Sequence, residues 1–114
     1  MPYINVKTTA SITKENKMSL TEKLGQAISI LPGKSEAHLM LCFEGELDMY
    51  FKGERTNPTA FVDVKIFGKC APASYAAFTA EVTKIISAEL SVEPSRIFIA
   101  YGEFENWGWN GTNL

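Results

Sequence analysis

Apolar residues recur at helical spacing in two stretches of this chain, and strand-like runs bracket both. Between Lys14 and Leu31 the apolar positions Leu20, Leu24, Ile28 and Leu31 form one stripe, leaving Lys17, Thr21, Lys23 and Gln26 to water. Thr13 supplies an N-cap, Glu15 an acidic group in the first turn, and Pro32-Gly33 a stop. In the second half, Pro72 opens a helix to about Leu90 whose stripe is Phe78, Val82, Ile85, Ile86 and Leu90. Before the first helix, Ile4 and Val6 alternate with Tyr3, Asn5 and Lys7; after it, the continuous apolar run Leu39 to Phe43 predicts a central strand buried on both faces. Before the second helix, Val62, Val64 and Ile66 alternate with Phe61, Asp63, Lys65 and Phe67. Arg96 to Tyr101 follows that helix as another strand. Asp48 to Phe51 is a candidate short strand, and Lys52 to Pro58 is the loop richest in turn residues. The tail Asn106 to Gly111 has too many turn residues for a long element.

A strand–helix–strand crossover makes its two strands parallel, so the pattern is two βαβ units in tandem. The expected fold is a two-layer α+β domain spanning residues 1–114, with a four-stranded mixed sheet and both helices on one face. Two helices on one face leave the other bare. That side still holds apolar residues, so a further chain is expected to cover it.

Composition narrows the partners. A net charge of −2 gives no electrostatic case for nucleic acid or an anionic membrane. No apolar run approaches the ~20 residues of a membrane span, and no basic segment followed by an apolar core marks a signal peptide. Cys42 and Cys70 lie in different elements without C-x-x-C spacing, which reads as reduced thiols in a cytoplasmic protein. The single histidine, His38, makes no metal site, and no motif asks for a cofactor. His38 itself reads as a strand-edge residue.

Met1-Pro2 carries the sharpest chemistry. Removal of the methionine would leave Pro2 with a free secondary amine, and a terminal amine titrates near pH ~8. Burial and a nearby cation would pull that value toward neutrality, where a base can take a proton from carbon beside a carbonyl. On its own the opening stretch reads first as a proline that merely begins a strand, and only second as a base.

Four motifs occur in order: Met1-Pro2 opening a strand, Gly33-Lys34 after the first helix, Pro94-x-Arg96-Ile97 before the last long strand, and Gly108-Trp109-Asn110-Gly111-Thr112 at the end. Together they resemble the macrophage migration inhibitory factor family of the tautomerase superfamily, over essentially the whole chain. The resemblance implies three subunits closed into a ring with the sheets inside, and tautomerisation of aromatic, phenylpyruvate-like α-keto acids. Pro2 then matches the catalytic base, Lys34 the cation for the substrate carboxylate, and Phe67 a position whose backbone N–H contacts substrate. Trp109 matches a tryptophan near the pocket. Phe98 and Ala100 stand where many members carry a tyrosine and an asparagine supplied by a neighbouring subunit, and His38 where a pocket-rim tyrosine is common. Those departures imply a more apolar wall, less suited to a hydroxylated ring. The family's C-x-x-C reads Thr59-Ala60-Phe61-Val62 here, so its proposed thiol redox activity has no chemistry in this chain. The expected partners are a small α-keto acid and two further copies of the chain. The alternative is a signalling protein with a protein receptor and a vestigial site, since some members leave the cell without a signal peptide.

Overall fold

The computed structural model describes all residues from Met1 to Leu114. Strand β1 (Pro2–Thr8) leads into helix α1 (Lys14–Ala27), and strand β2 (Met40–Glu44) completes the first unit. Strand β3 (Ala60–Phe67), helix α2 (Pro72–Leu90) and strand β4 (Ile97–Phe104) form the second, and a two-strand hairpin, β5 (Gly108–Trp109) and β6 (Thr112–Asn113), ends the chain. The four long strands make one mixed sheet in the order β2-β1-β3-β4. Pairing is parallel within each unit, β1 with β2 and β3 with β4, and antiparallel at the β1–β3 seam between them.

Alternation decides what is buried. Ile4 and Val6 of β1 and Val62, Val64 and Ile66 of β3 face the helices and are completely or almost completely buried. Leu20, Leu24 and Ile28 pack onto them from the first helical segment, and Phe78, Val82 and Ile86 from the second. Helix α1 starts with a capping box: the Thr13 hydroxyl accepts the Asn16 N–H at 3.1 Å, and the Asn16 side chain accepts the Thr13 N–H at 3.1 Å. Asparagine thus does the work that Glu or Gln usually does at this position. No helix is long and apolar enough to cross a membrane.

Three details differ from the sequence expectation. The α-helix stops at Ala27 and tightens into a 3-10 turn over Ile28–Ile30, so the predicted end at Leu31 is reached by i→i+3 geometry. The run Leu39 to Phe43 is not a central strand buried on both faces but largely edge strand β2. Leu41 and Phe43 pack toward the core, while Met40 on the other face is 67% exposed. Asp48 to Phe51 forms no strand; only a single bridge joins Phe51 to Glu54.

The loop after that bridge is held by Arg96. This arginine is only 7% exposed. Its Nε donates to the Pro58 carbonyl at 2.9 Å and its Nη2 to the Asn57 carbonyl at 3.1 Å. Its Nη1 lies 2.8 Å from a Glu54 carboxylate oxygen, and the guanidinium sits 5.2 Å from the centre of the Phe51 ring. Removing the guanidinium leaves loop carbonyls that water can partly re-satisfy, so Arg96→Met should cost about 1–3 kcal/mol in urea unfolding. It should also speed chymotryptic cleavage at Phe51. Unchanged stability and cleavage would mean that something else holds the loop.

Candidate active site

The β1–β3 ladder sets Pro2 opposite Ile66 and thereby brings residue 1 beside Phe67. The Phe67 N–H donates to the Met1 carbonyl at 3.1 Å. Lys34 arrives from the turn after α1, where its own N–H donates to the Leu31 carbonyl at 3.1 Å, and its Nζ donates to the Phe67 carbonyl at 2.9 Å. Both backbone groups of Phe67 are therefore engaged, one by the chain terminus and one by the lysine. Gly68 follows at φ +87°, a left-handed conformation that strains any residue with a Cβ, and it turns the chain away from the strand.

Pro2 is buried and Met1 half-buried. Burial first, and the Lys34 charge second, hold the terminal amine below its ordinary value of 8.0. Beside it opens a hollow of about 640 Å³ lined by Met1, Tyr3, His38, Met40, Lys65, Trp107 and Trp109, among others. His38 lies in the 3-10 turn Glu36–His38 that precedes β2, not on the strand edge as expected, and its ring meets Trp109 edge-on at 5.5 Å. A second hollow, about 430 Å³ between α1 and α2, is lined by other residues, including Lys23, Ile30, Lys84 and Ile85.

Of the residues singled out in the sequence, Pro2, Lys34 and Phe67 come together, and His38 and Trp109 share the hollow beside Met1. Phe98 and Ala100 do not join them. Pro2 aligns with Ile66, and Ile66 with Glu103, which puts Ala100 and Phe98 about 10 and 17 Å farther along β4. Phe98 is 54% exposed there, with Phe51 edge-on at 5.2 Å. Sequence reasoning missed Met40 and Lys65 as parts of the hollow, which Tyr3 and Trp107 also line. The signal was in the alternation, which puts Lys65 on the uncovered face; the antiparallel register then sets it opposite Tyr3.

Chemically, the arrangement offers an amine, an ammonium group and a backbone N–H within one small region. Because the amine's folded value lies below 8.0, the unfolded chain holds more protons between the two values. The stability it contributes is complete above 8.0 and is lost as pH falls through the folded value. Lys34→Met removes the smaller of the two causes, so the Met1 amine should titrate higher than in the parent yet stay below 8.0. NMR titration of isotope-labelled Met1 reads this directly, and an unmoved value would place Lys34 out of electrostatic reach.

The comparisons with known proteins bear on the fold of the whole chain. A crystal structure of a macrophage migration inhibitory factor from Leishmania major superposes with a TM-score of 0.92 at 28% identity, covering 100% of this chain and 97% of that one. The homologue from Prochlorococcus marinus gives 0.81 at 26% identity, covering 97% of each chain. A protein solved after inactivation by 2-oxo-3-pentynoate shares the fold at 0.84 and 18% identity, covering 96% of this chain and 93% of that one. Among curated proteins, nothing matches the chain. The family model for macrophage migration inhibitory factor matches residues 1–114, and the chain belongs to that family.

Proposed function

We propose that the chain, once Met1 is removed, is a keto–enol tautomerase of α-keto acids, aromatic phenylpyruvate-like ones included, with Pro2 as general base. The observation that carries this reading is the convergence of the chain terminus and Lys34 on the two backbone groups of Phe67. Excision of Met1 does two things at once. It turns the Pro2 nitrogen from a tertiary amide, whose lone pair is in resonance, into a secondary amine. It also frees the Phe67 N–H, because the carbonyl that accepts it leaves with the methionine.

A substrate carboxylate then takes the freed N–H and the Lys34 ammonium, two charge-assisted hydrogen bonds worth about 1.5–3 kcal/mol each. The neutral Pro2 amine accepts a proton from the carbon next to the ketone. That C–H bond breaks as the carbon–carbon double bond forms, and the proline returns the proton to the ketone oxygen to give the enol. The reverse sequence ketonises. Trp109 and His38 flank the substrate, and Phe98 and Ala100 reach it from a neighbouring copy. One protein of this fold is inactivated by 2-oxo-3-pentynoate, itself an α-keto acid, which supports the substrate class.

Burial and Lys34 act on the Pro2 amine as they act on the Met1 amine, lowering its value. Activity of the processed chain should therefore rise with pH through one ionisation below that of an exposed terminal proline. The Met-bearing form and Pro2→Gly should both lose most of kcat/KM for phenylpyruvate, with intact mass fixing which form is assayed. Equal turnover by the Met-bearing chain would dismiss Pro2 as the base.

The active unit in this reading is a homotrimer. Met40, Phe98, Phe104 and Trp109 are exposed large apolar residues on a single copy. Sedimentation at micromolar concentration should give about three times 12.6 kDa; a clean monomer would leave Phe98 and Ala100 without access to any Pro2.

A further inference from the structure

Lys65 lines the hollow beside Met1, and the tautomerase mechanism gives it no task. It lies two residues before Phe67 on the same face of β3, about 7 Å along the strand. Lys34, from the turn after α1, meets Phe67 itself, with its Nζ 2.9 Å from that residue's carbonyl. Two ammonium groups therefore flank the stretch of β3 that faces the start of the chain. Lys65 has only loose partners: its Nζ is 3.0 Å from Asp63 Oδ2 and 5.6 Å from the centre of the Tyr3 ring. Both members of that ion pair are more than a third exposed, and such pairs contribute about 0–1 kcal/mol. A ligand carboxylate can therefore displace Asp63 at little cost. No Asp or Glu lines the hollow, and Leu39, Met40, Trp107 and Trp109 give it apolar walls that strengthen the field of a single cation.

We propose that Lys65 is a specificity-determining residue that binds a second carboxylate, so that short-chain 2-oxo dicarboxylates are substrates alongside monoanionic α-keto acids. The proposal rests on the α-keto acid reading above. In that pose Lys34 and the Phe67 N–H hold the carboxylate next to the ketone, and Lys65 holds the one at the far end. Asp63 acts as the resident competitor for Lys65, which gives the two residues opposite effects on the same quantity.

The test uses the processed full-length protein and two acids that differ only in a terminal carboxylate or methyl group, 2-oxoglutarate and 2-oxopentanoate. Deuterium exchange at C3, followed by NMR, gives kcat/KM for each. The dicarboxylate should be preferred about tenfold, the yield of one charge-assisted hydrogen bond. Lys65→Met should bring the ratio to about one, Lys65→Arg should retain the preference, and Asp63→Asn should increase it. A ratio that Lys65→Met leaves unchanged overturns the proposal, as does a parent protein with no preference. If neither acid exchanges, the proton-transfer reading fails separately, and calorimetric binding of the same two acids decides the role of Lys65. Tighter binding of 2-oxoglutarate that Lys65→Met abolishes and Lys65→Arg keeps supports it; equal binding of the two acids overturns it.

Discussion

The antiparallel seam between β1 and β3 is the joint on which both the core and the site depend. Each βαβ unit pairs its own strands in parallel, so within the sheet this ladder alone connects the halves. It runs from Thr8 opposite Ala60 to Pro2 opposite Ile66. Slipping it by one residue would turn Ile4 and Val6 away from the helices, and burying such a side chain is worth about 1.5–3 kcal/mol. The same slip would carry residue 1 away from Phe67. Core packing thus fixes the position of the amine more firmly than any contact the terminus makes for itself. Lys34 depends on the same joint, since its Nζ closes on the last residue of β3.

A second anchor works at the opposite corner of the sheet. Arg96 opens the approach to β4 and ties down the loop that carries Phe51, which in turn meets Phe98 edge-on. Phe98 also approaches Phe61, with ring centres 6.4 Å apart. The buried cation therefore does more than satisfy loop carbonyls. It holds an aromatic group in one conformation while that group is still exposed, which lowers the ordering cost of any surface that later docks on it.

Much of this was legible in the sequence because each element was specified locally. The stripe of α2 and the alternation of β3 match their observed spans, and the Thr13 cap stands where it was expected. What could not be read was relative placement. The run Leu39 to Phe43 looks like a central strand because apolarity records burial without saying what does the burying; in one copy it lies largely at an edge. The helix end at Ala27 was missed since a 3-10 turn keeps Ile28 buried and so preserves the stripe. Lys34 was found only through its motif, as nothing in its own neighbourhood distinguishes it from a solvated lysine after a helix. Lys65 escaped because its importance comes from the antiparallel register, and tandem βαβ units do not dictate which strands of the two halves adjoin.

The uncovered sheet face has its own internal order. Along its middle, buried Asn5 donates to Glu44 of the neighbouring β2 at 2.9 Å, and Lys65 pairs with Asp63 at 3.0 Å, with both members of that pair more than a third exposed, so the polar groups there are already partnered. Its large exposed apolar residues lie toward the outside instead: Met40 on β2 at one edge, Phe98 and Phe104 on β4 at the other. A flat partner laid over the whole face would have to desolvate the charged middle, at a cost that hydrophobic contact at the rims does not offset. Partners meeting only at the edges avoid that cost, bury the apolar rims and leave the polar strip solvated. In the homotrimer proposed above, edge-on contact with a rotation that closes would give a ring and take the open backbone of β2 and β4 into the interfaces. The hollow beside Met1 adjoins the β2 edge through Met40, and Phe98 stands at the β4 edge. The geometry that removes both liabilities is also one that can bring one copy's Phe98 to the next copy's Pro2.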